Sequence, residues 1–421
     1  MSSRRLKGSW FRMWSAALLV PLSLVLNACG GSSDNSSSNS GTPTQTGTSG
    51  GVSRSSSLLK TVSLAGGELK KWVDIPGVDS GGGKVTEIVV DAPGGRVYVD
   101  TLSASSTTFF DYDYGSDSVS GVYYPFYRFL LSPGGASLGV MIPVRHVSSG
   151  NFPSGDYTIT LSNVSASPVT ANIYLLKKND PDFSNGGITL NLFVYTVGGS
   201  NPVIASVDDA QAIKNYISNI YQQVGMTVNA LNVEFRDDPN AVAQAGGSVG
   251  DISAFLESAS RGTAGRGDTG INCFLMPQLG GGLLGLDGAI PGPGFQHGTA
   301  ASGLVAAATS FGFIFAGYTA HETDQLYLSF TLAHEVGHYL GLYHPSEKYG
   351  KPHDPLSDTP ECGLQYDTNH DGVVDGPECR GVNTQFLMFW TDDIRNGQPT
   401  GDQTVISPQQ GEIMNTHPSV S

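Results

Sequence analysis

The sequence is poor in charged residues and contains no stretch of clustered basic side chains. Lys, Arg, Asp and Glu make up 14% of its 421 residues, and the formal net charge is −15. A protein that binds nucleic acid needs a basic patch to neutralise phosphates, so this composition argues against such a partner. Glycine is abundant, with 55 residues, and 39% of the residues are hydrophobic. Together these values favour strands, turns and loops around a buried core.

Long hydrophobic runs are also missing beyond the first 30 residues. Basic residues open the chain, and the apolar stretch at 13–26 is too short to span a bilayer. The stretch ends in Leu-Asn-Ala-Cys at Cys29, which resembles a bacterial lipobox. Residues 1–28 are therefore predicted to be a lipoprotein signal peptide, with Cys29 as the lipidated residue. An ordinary signal peptide with an incidental cysteine is the alternative.

Residues 29–57 are almost all Gly, Ser, Thr and Asn, which predicts a flexible tether. The protein is thus expected to be exported and lipid-anchored, at the bacterial outer membrane or cell surface. Its membrane contact would be through the N-terminal lipid alone. Cysteine is otherwise scarce, because only Cys273, Cys362 and Cys379 follow Cys29. Export makes one disulfide plausible and leaves one cysteine over.

From residue 58 to residue 180 the chain consists of short alternating runs separated by Gly, Pro, Ser and Asp. The runs lie at 84–90, 96–102, 127–131, 157–161 and 170–176. Short strands with turn residues between them predict an all-β sandwich, which we assign to residues 58–180 as an accessory domain.

Residues 185–421 show a mixed pattern of strands and helices. An alternating run at 188–195 predicts a buried strand, and Ser206 followed by Asp209 predicts a helix start. Gly225 ends that helix. Further strands are expected near 229–235 and 271–279, and a second helix over 328–340. The pattern predicts an α/β domain preceded by the all-β sandwich.

One motif dominates the second region, where the segment from His334 to His344 spells His-Glu-x-x-His-x-x-Gly-x-x-His. His334 and His338 lie one helical turn apart, so both imidazoles can face one ion. Gly341 permits the left-handed turn that brings His344 back as a third ligand. Three neutral nitrogens suit zinc and leave a fourth position for water, whose pKa falls to about 7 there. Glu335 is placed to accept the proton of that water.

The motif is that of the metzincin zinc peptidases, and the residues after it resemble the pappalysin branch. Residues 354–360, Asp-Pro-Leu-Ser-Asp-Thr-Pro, are similar to the D-x-x-x-D-T-P of that branch, and Met388 stands where its Met-turn belongs. The resemblance implies a metzincin-type catalytic domain, with a mixed twisted sheet and an active-site helix above an irregular lower subdomain. Met388 would lie beneath the metal histidines. Trp390 stands where some metzincins have a tyrosine ligand, so no fourth protein ligand is expected.

A second metal-binding pattern follows at residues 367–378. It places Gly at position 6 and oxygen-bearing groups at calcium-loop positions 1, 3, 5, 7, 9 and 12. The predicted calcium ligands are Asp367, Asn369, Asp371, the Val373 carbonyl, Asp375 and Glu378. An acidic turn without calcium is the alternative.

Two further features flank this loop. Cys362 and Cys379 bracket it, and a disulfide between them would close roughly 18 residues and stabilise the fold by about 3 kcal/mol. Asp354 and Asp358 are candidates either for a second calcium site, as in relatives, or for turn caps.

The sequence therefore predicts a zinc endopeptidase that acts on proteins or peptides, with Glu335 as general base, catalytic zinc and structural calcium. Two alternatives stay open: a surface adhesin that keeps the metal site without catalysis, and a lipoprotein that binds glycans through its sandwich. By resemblance, Asp392 and Asp393 suggest a preference for a basic residue after the scissile bond. A second His-Glu pair at His321 lacks the second histidine, because Gln325 stands in its place.

Overall fold

The computed structural model describes residues 45–49, 51–113, 116, 118–123, 136–146, 151–395 and 398–421. The predicted signal peptide, Cys29 and residues 30–44 of the predicted tether lie outside this range. Residues 52–57 of that predicted tether belong instead to the strand Val52–Leu64, because residues 53–57 pair antiparallel with residues 175–179. Within it, no helix combines the length and the apolar character needed to cross a membrane. The described chain is a mixed α/β structure with several sheets and few helices.

Two antiparallel sheets of five strands form the first half of the described chain. The first, in spatial order, contains β1 (Gln45–Ser49), β2 (Val52–Leu64), β10 (Val169–Asn179), β4 (Lys84–Asp91) and β8 (Ser137–Ile142). The second contains β3 (Lys71–Val78), β9 (Gly155–Asn163), β5 (Val97–Ala104), β6 (Thr107–Asp113) and β7 (Ser118–Ser120). Strands β4, β5, β9 and β10 cover four of the predicted runs, and the run at 127–131 lies outside the described residues.

Strand β4 of the first sheet is buried on both faces because the second half of the chain covers its outer side. Successive side chains of a strand point to opposite faces. Ile88 of β4 lies in the main buried core, whereas its neighbour Val89 packs with Leu176 and Phe295, a residue of the second half. Polar contacts also cross this boundary, such as the ion pair of Arg261 with Asp91 at 3.1 Å.

A third sheet organises the second half. In spatial order it contains β12 (Thr227–Asp237), β11 (Gly187–Thr196), β13 (Ile271–Met276), β15 (Leu304–Ala307) and β14 (Gly285–Asp287). The first four are parallel, and β14 runs antiparallel to β15 at the edge. The helices here are α1 (Val207–Tyr221), α2 (Pro239–Ala245), α3 (Val249–Arg261) and α4 (Ala320–Tyr339).

Capping residues set the starts of the two helices that the sequence predicts. Ser206 and Asp209 form the expected capping box of α1. Helix α4 starts at Ala320, earlier than the predicted residue 328, because Thr319 and Glu322 form a second capping box there. Helix α4 therefore begins directly where the loop after β15 ends.

The chain after α4 contains little regular structure among the described residues. Its elements are α5 (Gly376–Cys379), β16 (Ile394–Arg395), β17 (Gln398–Pro399) and α6 (Pro408–Thr416). A disulfide joins Cys362 to Cys379, the predicted pair, while Cys273 is free and buried. Covalent closure therefore supplies order that regular hydrogen bonding does not.

Candidate metal centre

Helix α4 presents two histidines from one face near its C-terminal end. His334 and His338 are separated by one turn, and their ring centroids lie 4.7 Å apart. The helix ends at Tyr339, and Gly341 then adopts a φ of 103°, a conformation that side-chain-bearing residues rarely take. This turn sends the chain back toward the helix.

The returning chain delivers the third histidine to the same point. His344 Nε2 lies 3.2 Å from His334 Nε2 and 3.0 Å from His338 Nε2. Among the described residues, these three form the one group of His, Cys, Asp or Glu side chains whose ligand atoms all lie within 4.8 Å of one another. Nitrogens bound tetrahedrally at about 2.0–2.1 Å from one zinc ion would be separated by about 3.3 Å. The observed spacing fits one such ion.

The other ring nitrogen of each histidine has its own acceptor. His334 Nδ1 lies 2.7 Å from the Leu387 carbonyl and His338 Nδ1 lies 2.8 Å from the Leu342 carbonyl. His344 Nδ1 lies 3.0 Å from Glu347 Oε2. Donation from each Nδ1 leaves the three Nε2 lone pairs pointing at one another, an arrangement that a cation relieves.

Burial keeps the two helix histidines neutral. It lowers the pKa of His334 to about 3, with a further contribution from His344, and it lowers the pKa of His338 well below its ordinary value. Neutral imidazole is the form that binds a metal. The donor set is therefore chemically suited to zinc.

Met388 packs directly against helix α4. It is fully buried, and a Cβ built on Gly337 would lie 2.6 Å from its sulfur. The preceding carbonyl, of Leu387, is the one that accepts from His334. Gly337 thus leaves room for Met388, and the carbonyl of the neighbouring Leu387 orients the first histidine.

Glu335 lies beside the histidines and is 7% exposed. Burial raises the pKa of its carboxyl group to about 8. The edge strand β14 lies against it, since a Cβ built on Gly285 would be 2.3 Å from Glu335 Oε1. Burial and then the Glu335 carboxylate raise the pKa of Asp287, at the end of β14, well above its ordinary value. The carboxyl group of Glu335 therefore lies against a sheet edge, on the helix that carries two of the three converging histidines.

Three residues of this site are not among those that the motif predicts. Glu347 has one signal in the sequence, its position three residues after His344. Gly285 and Asp287 belong to a glycine-rich stretch without a strand pattern. Only the pairing of β14 with β15 brings them to Glu335.

The predicted calcium ligands lie in one loop that is closed by the disulfide. Asp367 Oδ1 accepts from His370 N at 2.7 Å, Asp371 Oδ1 accepts from Val373 N at 2.8 Å, and Glu378 Oε1 accepts from Thr368 N at 2.7 Å. Their carboxylate oxygens do not form a second group of three within 4.8 Å in the described part of the chain. Calcium at this loop stays a prediction.

The neighbouring acidic residues make structural contacts. Asp354 Oδ1 accepts from Thr359 Oγ1 at 2.6 Å, and Asp358 Oδ2 accepts from Gln409 N at 2.9 Å in the first turn of α6. These contacts match the turn-capping alternative. Asp393 is buried between Arg380 and Arg395, which hold its pKa below the usual range against the effect of burial. The carboxylate of Asp393 is therefore already neutralised within the chain.

Comparison with known proteins gives little further information. No protein-family model matches the chain, and no curated protein matches it. Metalloproteinase-II from Bacteroides fragilis is similar at 14% identity and a TM-score of 0.24, over 41% of this chain and 54% of that one. Xylanase10C from Cellvibrio japonicus is similar at 12% identity and a TM-score of 0.15, over 48% and 47%. The chain spans about half the length of both, and TM-scores this low do not establish a shared fold.

Proposed function

We propose that the protein is a zinc-dependent endopeptidase. The observation that carries the proposal is the convergence of three histidine Nε2 atoms, two of them on the helix that also carries the buried carboxyl group of Glu335. Zinc, when bound by His334, His338 and His344, supplies Lewis-acid polarisation of a scissile carbonyl and lowers the pKa of water. A histidine triad without a carboxyl neighbour would support metal binding alone.

Glu335 is the proton carrier in this proposal. A general base works best when its pKa is close to the working pH, and burial has moved the pKa of Glu335 to about 8. The carboxylate takes a proton from the attacking water and delivers it to the leaving amine. Its position beside Gly285 keeps both transfers next to the edge of β14.

The edge of β14 is the proposed binding site for the peptide backbone. One side of β14 pairs with β15, and in the described part of the chain no strand pairs with its other side. An extended peptide can add to such an edge through main-chain hydrogen bonds. This mode requires no free chain end, which is why we propose an endopeptidase.

The finer assignments belong to the same proposal. We retain the metzincin class, with a pappalysin-like lower subdomain around Met388, and structural calcium at residues 367–378. We also retain the division into a sandwich domain that ends at residue 180 and a catalytic domain at residues 185–421, with the start of the sandwich moved to include β2. The lipid anchor at Cys29, which tethers the enzyme at the cell surface, belongs to the proposal as well. The hydrogen bond between the Leu387 carbonyl and His334 supports the Met-turn assignment.

The test compares wild-type protein with Glu335→Gln and Glu322→Gln. Glu322 lies on the same helix but caps its first turn, and it belongs to the incomplete His-Glu pair. We expect chelator-sensitive casein hydrolysis by the wild type and by Glu322→Gln. Glu335→Gln should retain one zinc per chain without hydrolysis. Zinc binding without cleavage by the wild type would favour the adhesin alternative, and undiminished cleavage by Glu335→Gln would refute the assigned base.

A further inference from the structure

Two side chains on the outer face of the first sheet lie close to the end of helix α4. Glu87 of β4 and Met141 of β8 are cross-strand partners, so both point to the same face. Each is at most 2% exposed. The residue next to Met141, Val140, is also fully buried but points to the opposite face of the sheet.

Met141 contacts the turn that delivers the third histidine. A Cβ built on Gly341 would lie 3.1 Å from Met141 Cε and 3.1 Å from Ile413 Cγ2, an atom of α6. The turn at Gly341 is therefore packed between the first sheet and α6. His344 follows three residues later, and its position depends on the path of this turn.

Glu87 contacts a loop that binds the end of helix α4. A Cβ on Gly294 would lie 2.7 Å from Glu87 Oε2, so the loop containing Gly294 rests on this carboxyl group. Tyr339 Oη donates to the Gly294 carbonyl at 2.7 Å, and Gly292 N donates to the Tyr339 carbonyl at 2.8 Å. The last residue of α4 is thus bound to a loop that lies on the sheet.

We propose that the first sheet of the sandwich is a positioning element of the zinc centre, with Met141 holding the Gly341 turn so that His344 reaches the metal. The inference rests on the proposed function and adds a role for the accessory region. Met141 does not touch the ion; it acts through Gly341 and His344.

The experiment measures zinc affinity of the full chain by competition with a chromophoric chelator, alongside thermal unfolding. Met141→Ala should weaken zinc binding about tenfold, the lower end of the effect of removing a residue that orients a ligand. Met141→Leu, which conserves volume, should stay within about threefold of wild type. Val140→Ala is the matched control, because it removes buried carbon atoms from the next residue without touching the turn. It should lower the unfolding temperature and leave zinc affinity unchanged.

Two results would overturn the inference. One is wild-type zinc affinity in Met141→Ala, and the other is an equal loss of affinity in Val140→Ala. If Met141→Ala does not fold, Met141→Val shortens the side chain while keeping a residue suited to a strand, and the same comparison applies. A wild-type chain that binds no zinc would refute the proposed function and this inference together, whereas the two results above would leave the proposed function standing.

Discussion

Two segments of this chain have sequences typical of metal sites, and they differ in how their possible ligand atoms are arranged. The histidines of residues 334–344 bring three nitrogens to one point, each with its second nitrogen held by an acceptor. The carboxylates of residues 367–378 instead accept hydrogen bonds from backbone N–H groups of their own loop. Regular helix spacing, together with acceptors on Leu342, Glu347 and Leu387, arranges the first set of ligands. No helix turn spaces the second set, so we expect the ligand geometry there to depend more on the ion itself.

The largest expected effect comes from removing a ligand of the histidine centre. His338→Ala should lower peptidase activity at least about a thousandfold, because several kcal/mol of transition-state stabilisation are lost and each ~1.4 kcal/mol is a factor of ten. His370→Gly is the control in the calcium-type loop. His370 is exposed with a φ of 62°, which glycine adopts easily, so activity should not change. Full activity in His338→Ala would remove the distinction between the two sites.

The second-largest expected effect is the loss of stability on removing the disulfide that closes the acidic loop at residues 367–378. Replacing Cys362 and Cys379 together by Ala should reduce stability by about 3 kcal/mol, because the disulfide closes a loop with a sequence separation of 17. Trp390 reports on this region, since its Nε1 donates to the Val374 carbonyl at 2.8 Å. Urea unfolding followed by tryptophan fluorescence measures the change. Zinc content at low temperature should remain at one ion per chain, and its loss would show that the two sites are not independent.

Calcium should have a slightly smaller effect on the same region. At a concentration one hundred times its dissociation constant, a ligand stabilises the folded state by about 2.7 kcal/mol. Asp371→Asn should reduce this gain, because it removes one negative charge from the predicted ligands, while asparagine can still accept from Val373 N and preserve the turn. Thermal unfolding with calcium, magnesium or neither tests it. If calcium leaves the wild-type transition unchanged, residues 367–378 are an acidic turn and not a binding site.

Local patterns in the sequence predict the structure correctly where neighbouring residues determine the geometry. The pairing of His334 with His338 follows from helical spacing, and the start of α1 follows from the Ser206–Asp209 capping box. The Cys362–Cys379 disulfide joins the two cysteines that bracket one loop. In each case, the interacting groups lie within a single short segment.

Contacts between segments that are distant in the sequence could not be predicted from such local patterns. Strand β14 has three residues in a glycine-rich stretch, and its position depends on pairing with β15. Helix α3 has a capping box at Ser248 and Asp251, which was an available signal, but the surrounding glycines obscure it. Met141 lies some two hundred residues before Gly341 in sequence, and only the packing of the first sheet brings them together. Such contacts depend on the tertiary fold.

The smallest expected effect, on zinc affinity, tests whether the acceptors of the Nδ1 atoms distinguish the histidine centre from the acidic loop. Glu347→Gln keeps an oxygen acceptor for His344 Nδ1 but removes the negative charge, so zinc affinity should fall by about tenfold at most. Glu361→Gln is the matched control, because Glu361 lies 3.4 Å from His353, a histidine outside the triad. Zinc competition on both variants measures the difference. Equal affinities in Glu347→Gln and the control would mean that the charge of Glu347 contributes nothing. If Glu347→Ala also bound zinc as tightly as wild type, the helix and the Gly341 turn alone would place His344, and the acceptors would not explain the contrast between the two sites.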